Sequence, residues 1–307
     1  MAEIIAAEEQ LDSCKTIGEI IRYYANHHIP TTSRPDVAIA NLEKITPFWG
    51  MLTLKDISQA KSLSYYEFRK KEFHKWQIKQ NRISIRTLQK QSVRRELEQL
   101  QAAVNFAYRE GAISVQPYIY KFEKSKPRNR WLTRSEAAAL IWNARKSEQA
   151  KEYLPLFILI GIYTGARMSA ILNLRWNNVD LNKGIIDFSA SNNSETKQGA
   201  KTVIPKKLLL RLVAHRQRGN EEGYILHINQ SPIGSPKKSF KTACIRAKLE
   251  DVTIHTLRHT CASWLIQKNV STDKIAKHLG HTSPRMIEQT YGHLSPDHLQ
   301  EVMDAFS

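Results

Sequence analysis

Along roughly the first 120 residues, apolar positions recur at the three- and four-residue steps of helices. Thr16 is suited to cap a helix carrying Ile17, Ile20, Ile21 and Tyr24. A second helical stretch lies near 37–44, and a third over 56–79 breaks near Asn81. The clearest begins between Ser84 and Thr87 and runs to Glu110, with Gly111 as its stop signal. In it Leu97, Leu100, Val104 and Ala107 recur at steps of three, four and three, the stripe of a helix facing a core.

Beyond residue 130 the pattern restarts. Thr133 with Glu136 three residues on forms a capping-box signal. The apolar run from Tyr153 to Tyr163 is far shorter than the roughly 20 residues that span a bilayer, so it predicts a buried core helix. Ile185 to Phe188 and Lys201 to Ile204 predict two short strands around a polar turn, Ser191 to Gln198, ended by Gly199. Helical patterning resumes at Lys206, and there are no internal repeats. The expected fold class is mainly α with a small antiparallel β-sheet (α+β). The expected organisation is a helical domain over 1–120, a basic linker over 121–131, and a second domain over 132–307 ending in a C-terminal helix.

Charge adds a partner to this picture. The 307 residues carry a net charge of +17, and 41% are apolar, ordinary for a globular chain. Such a basic excess predicts attraction to a polyanion, with nucleic acid ahead of anionic membrane. Between 69 and 95 stand Arg69, Lys70, Lys71, Lys75, Lys79, Arg82, Arg86, Lys90, Arg94 and Arg95, opposed only by Glu72. Solvated helical faces normally mix both signs, so this run favours contact with a phosphate backbone, where each neutralised phosphate releases counterions. Lys121, Lys124, Lys126, Pro127, Arg128 and Arg130 make an extended, basic linker. The expected DNA contacts are Arg82, Arg86, Lys90, Arg94, Arg95, Lys124, Lys126, Arg128 and Arg130. Cys14, Cys244 and Cys261 are scattered and fit neither a disulfide framework nor a zinc motif, so a reducing cytoplasm is the default. The opening Met-Ala-Glu, with Glu8, Glu9 and Asp12, does not fit a signal peptide.

Four local signals carry chemistry. In Thr164-Gly165-Ala166-Arg167 an apolar helix ends at a turn, and Arg167 opens the next helix, well placed to meet an anion. In His255-Thr256-Leu257-Arg258-His259 the spacing puts His255, Arg258 and His259 on one helix face. Zinc competes for such a His pair, but there is no Glu at the second position and Arg258 would set a fixed charge beside the cation. In Leu279-Gly280-His281 the glycine ends a helix from Thr272 and presents His281 past it. Ser283-Pro284 then starts a helix that brings Tyr291 to its end, before Gly292.

Each signal alone has an ordinary structural reading; their order and spacing together resemble the catalytic domain of tyrosine recombinases, the phage-integrase family that includes lambda integrase, Cre and the Xer proteins. The resemblance covers about 131 to 295 and extends loosely to the helical domain before it, where Ser92 to Leu100 with Asn105-Phe106-Ala107 is similar to the last long helix of the family's core-binding domain. It implies that Arg167 and Arg258 grip the scissile phosphate, that His255 and His281 assist, and that Tyr291 is the nucleophile. It implies a lysine on the strand hairpin, Lys197, with Lys201 as runner-up. His259 and His293 recur in the family motifs and are read as structural.

The chemistry suits these residue types. Charge accumulates on the non-bridging oxygens of a pentacoordinate phosphate, and fixed guanidinium groups stabilise it selectively. Their planar forks stay charged and donate parallel bonds, so no metal is needed. A tyrosine hydroxyl, with a pKa of about 10, must lose its proton as it attacks; His255 is the expected general base and Lys197 the acid for the 5′ oxygen. The resulting 3′-phosphotyrosine stores the energy of the broken bond, so ligation requires neither ATP nor another cofactor. One departure stands out: where the family carries an acid three positions after the first Arg, this chain has Ala170. Leu299, Val302, Met303 and Phe306 line one side of the last helix, suited either to the chain's own core or to docking into a neighbouring protomer on DNA.

The expected activity is therefore site-specific recombination by a bacterial or phage-encoded cytoplasmic enzyme. Its partners would be double-stranded DNA, further copies in a tetrameric synapse and accessory DNA-bending proteins, with no membrane. A type IB topoisomerase and a non-enzymatic DNA-binding relative are the alternatives.

Overall fold

A computed structural model describes residues 15–80, 87–125, 130–189, 201–218, 223–281 and 283–291, and the chain divides into two units between Lys126 and Pro127. Among the described residues, the regular secondary structure of the first unit is all helical, followed by an irregular stretch over 112–125. Helix α1 (Ile17–His27) opens on a complete capping box: Glu19 N–H donates to Thr16 Oγ1 at 3.2 Å, and Thr16 N–H donates to the Glu19 carboxylate at 2.9 Å. Helix α2 (Pro35–Trp49) runs longer than its apolar pattern foretold, because Pro35 presets the first turn and Gly50 caps the last. A 3-10 turn (Leu54–Asp56) precedes α3 (Gln59–Lys79), which Ser58 caps.

Helix α4 (Lys90–Arg109) starts later than expected, since the Leu88 carbonyl is taken by the Tyr66 hydroxyl at 3.3 Å instead of entering the helical ladder. Gly111, at φ 71°, follows its end. The predicted stripe of Leu97, Leu100, Val104 and Ala107 is fully buried and packs with Ile17, Ile20, Ile45 and Trp49. Burying side chains of this size stabilises by about 1.5–3 kcal/mol each.

The stretch expected to begin a linker at 121 instead closes this core. Phe122 is buried, its carbonyl accepts from Arg94, and Ser125 N–H donates to Gln91 at 3.2 Å. An aromatic ring in a basic run is drawn to the apolar interior, so 121–125 packs with the first unit.

The second unit opens on α5 (Arg134–Arg145), with the predicted Thr133–Glu136 capping box in place. Helix α6 (Leu154–Thr164) is buried almost all round, as an apolar stretch too short for a membrane should be. Among the described residues no helix is long and apolar enough to cross a membrane. Helix α7 (Met168–Leu172) leads into a three-stranded antiparallel sheet of β1 (Val179–Asp180), β2 (Ile185–Asp187) and β3 (Lys201–Val203), with Ile186 opposite both Val179 and Thr202. The two predicted strands are present. The first strand was not foreseen, nor was the hairpin of β4 (His227–Ile228) and β5 (Ser231–Pro232), for two-residue strands carry no alternation to detect. Helices α8 (Lys206–Arg216), α9 (Lys237–Arg246), α10 (Ile254–Ile266), α11 (Thr272–Leu279) and α12 (Arg285–Tyr291) are the remaining helices among the described residues, and the expected C-terminal helix lies outside those residues. The architecture is mainly α with small antiparallel sheets, as expected.

Candidate active site

Helix α10 is the platform of the site. It is fastened at its far side, where Thr260 Oγ1 accepts from Leu132 N–H and Trp264 Nε1 donates to the Leu132 carbonyl, both at 2.9 Å. It lies close against α6 because residue 161 is glycine; a Cβ there would come within 2.8 Å of Leu257 Cδ1. Helix spacing then brings His255, Arg258 and His259 to one face, and the two imidazole rings meet edge to face at 4.7 Å.

Arg258 is the deepest of these groups, 6% exposed. Its Nη1 donates to the carbonyl oxygens of Gly165, at 2.7 Å, and Leu279, at 2.9 Å. These carbonyls lie at the ends of α6 and α11, each helix terminated by a glycine in the left-handed region. Gly165, at φ 61°, cannot be replaced without strain, and a Cβ there would strike Leu279 Cδ2. The two helix ends therefore hold the guanidinium by backbone. Its other nitrogen, Nη2, is buried with no hydrogen-bond partner among the described residues. A buried donor left unpaired is costly, and a phosphate oxygen would satisfy it.

Arg167 stands at the N-cap of α7, half-buried, close enough that its charge acts on Arg258, His255 and His281. Burial, and then the charge of Arg167, pulls the Arg258 pKa down to about 10. His281 follows Gly280 and is half-buried, its Nδ1 without a partner among the described residues. Burial and the neighbouring cations, Arg258 first, push its pKa down to about 4. His255 sits at the rim, open to solvent on one side, and is lowered by packing on its other side, then by Arg258 and Arg167. At neutral pH these imidazoles are uncharged.

Tyr291 ends α12 and is 7% exposed, packed with Ile287, Leu279 and Cys261. Its hydroxyl is hydrogen-bonded to His259 Nδ1, with ring centroids 5.6 Å apart. Burial pushes the phenol up to about 12, against the pull of Arg258. His259, read from the sequence as structural, is thus the imidazole that the phenol touches; no contact of His255 with the phenol accompanies it. Of the expected site residues, Arg167, His255, Arg258, His281 and Tyr291 come together. Lys197 lies outside the described residues. Lys201, its runner-up, is on β3, and its Nζ pairs with Asp187 at 3.3 Å. That strand is docked beside the site, Thr202 Oγ1 donating to the His278 carbonyl at 3.2 Å.

The expected DNA contacts divide. Lys90, Arg95 and Lys124 are exposed on the first unit. Arg94 is engaged by Phe122 and by Glu98 at 2.9 Å, and Arg130 is held by the Glu136 carboxylate at 2.5 and 3.1 Å. Arg82, Arg86, Lys126 and Arg128 lie outside the described residues. Arg69, counted in the basic run, is neutralised by buried Glu96 at 2.9 Å.

Two guanidinium groups, neutral imidazoles and a buried phenol, assembled from the ends of α6, α10, α11 and α12, define a class of site built for an oxyanion. The model of the phage integrase family matches residues 130–298, and the chain belongs to that family. It is 28% identical to the integrase of Salmonella phage P22 over 199 residues, covering 60% of this chain and 49% of that one. The chain spans about half the length of the first curated relatives it matches. In structure it is similar to the Tn1549 transposon integrase, solved with a circular intermediate DNA, with a TM-score of 0.76 at 14% identity over 95% of this chain and 100% of that one. It also resembles the lambda integrase dimer bound to a core site, with a TM-score of 0.68 at 18% identity over 94% and 80% of the two chains.

Proposed function

We propose that the chain is a site-specific DNA recombinase that cuts and rejoins strands through a 3′-phosphotyrosine on Tyr291. One observation carries this reading: Arg258, held by two backbone carbonyls, keeps a buried nitrogen unpaired among the described residues, close enough for its charge to act on the phenol of Tyr291. Arg258 and Arg167 would grip the non-bridging oxygens and stabilise the charge that builds as the phenol attacks. His255 and His281, kept neutral, would donate to the phosphate or pass protons. Lys197 would protonate the leaving 5′ oxygen; the engagement of Lys201 by Asp187 favours Lys197 over its runner-up.

The acid missing at Ala170, which is buried, has a local substitute: the carbonyls of Gly165 and Leu279 position the neighbouring Arg258 without it. Double-stranded DNA is the proposed partner, met through Lys90, Arg95 and Lys124 and through Arg82, Arg86, Lys126 and Arg128, while Arg94 and Arg130 are engaged in pairings within the protein. Assembly into a tetramer, with the last helix docked in a neighbouring copy, completes the proposal. A two-site recombination assay run beside supercoil relaxation tests it. Recombinant product from wild type and none from Tyr291→Phe supports the reading; relaxation alone would make the chain a topoisomerase, and binding without either would make it a regulator.

A further inference from the structure

We propose that His259, and not His255, is the base that takes the proton of Tyr291 during strand cleavage. The inference rests on the recombinase reading and deepens it. Its ground is contact: the Tyr291 hydroxyl is hydrogen-bonded to His259 Nδ1, on a helix fastened through Thr260 and Trp264 to Leu132, and the phenol is 7% exposed. His255 lies one turn earlier, at the solvent-exposed rim, and meets His259 edge to face. A proton acceptor must lie within hydrogen-bond reach of the atom it relieves, and His259 does.

The step balances as follows. The phenolic O–H bond breaks and its proton passes to His259 Nδ1; the oxygen's electron pair forms the bond to phosphorus. The bond from phosphorus to the 5′ oxygen breaks, and that oxygen takes a proton from the acid on the other side of the phosphate. On rejoining, the 5′ hydroxyl gives its proton back to the conjugate base of that acid as its oxygen bonds to phosphorus, the bond from phosphorus to the Tyr291 oxygen breaks, and the His259 imidazolium returns its proton to the departing phenolate.

The surroundings of His259 suit transient use of the base. Facing it are His255 and Arg258 from its own helix and Tyr291 from α12, with Arg167 acting on His255 and Arg258 from the α6–α7 turn, and His281, at the end of α11, feeling Arg258, Arg167 and His255 in turn. Burial first, then His255 and Arg258, hold its pKa near 4, so before DNA arrives it is neutral with a lone pair free to accept. The negative phosphate opposes the two arginines and raises the basicity of His259 where it is needed.

The test uses the full chain and a nicked duplex from the DNA flanking its gene, the fragment on which wild type forms a covalent adduct. His259→Asn keeps a hydrogen-bonding side chain but cannot take the proton. Adduct formation should slow by about 10²-fold or more, recover in part as pH is raised, and stay slow on a 5′-bridging phosphorothiolate, whose thiolate leaves without an acid. DNA binding should be unchanged. Cleavage at the wild-type rate, or a defect erased by the phosphorothiolate, would overturn the assignment while leaving the recombinase reading intact. Failure of wild type to form any adduct would instead sink that reading. Should the variant melt below the assay temperature, nitrogen-15 spectra of wild type decide: Nδ1 must resonate as an unprotonated acceptor that moves in Tyr291→Phe, and a protonated Nδ1 overturns the proposal.

Discussion

Arg258 donates to the carbonyl oxygen of Gly165 at 2.7 Å, across 93 residues of chain, so the turn that presents Arg167 also carries the second arginine. A left-handed glycine, a helix end and a buried guanidinium are one structural unit. With Leu279 supplying the second carbonyl, Arg258 is oriented by backbone from two helices, an arrangement with little freedom to reorganise, which is what the proposed stabilisation of charge on a phosphate requires.

Gly165→Ala should therefore damage fold and chemistry together. A left-handed alanine costs about 1–2 kcal/mol, and the new methyl collides with Leu279 while pressing on Cys261. Urea denaturation should show that loss or more, and adduct formation should fall with little change in DNA affinity. Wild-type stability and cleavage would contradict the role given to this turn.

In the first unit, Glu96 is buried and accepts from the Tyr65 hydroxyl at 2.7 Å and from Arg69 at 2.9 and 3.1 Å. Glu96→Ala leaves a guanidinium without its counter-ion and should destabilise that domain by about 3–5 kcal/mol. The measurement is denaturant unfolding of the full chain, where the transition of this domain should move to lower denaturant.

Acid should weaken the second unit. His255, His259, His278 and His281 all have pKa values held below the ordinary 6.5, chiefly by burial and then, for most, by Arg258 or Arg167. Unfolding frees each to bind a proton. The stability that comes from keeping them neutral is therefore complete above about pH 6.5 and is lost as pH falls toward 4, where His259 and His281 titrate in the fold. Denaturation curves at pH 7.5, 6 and 5 should show a steady decline, shallower in His281→Gln. A flat profile would mean that these rings are not held neutral.

Much of this architecture is legible in periodicity and punctuation. The stripe of α4, the caps at Thr16 and Thr133, and the glycine stops at 165 and 280 are local codes that tertiary packing leaves alone. The face shared by His255, Arg258 and His259 follows from helix spacing. What cannot be read locally is which imidazole meets a phenol 32 residues away, since both rings lie on one stripe and only the approach of α12 chooses between them. The same holds for Arg69, counted as free charge although its partner Glu96 stands 27 residues on, on another helix.

The central claim is that the phenol of Tyr291 becomes covalently joined to DNA. Wild-type protein trapped on a nicked duplex from the flanking DNA, digested with protease and analysed by mass spectrometry, should yield a peptide ending its modification at Tyr291 with a 3′-linked nucleotide, and Tyr291→Phe should yield none. A nucleotide found on another side chain, or an adduct surviving in Tyr291→Phe, would contradict the account.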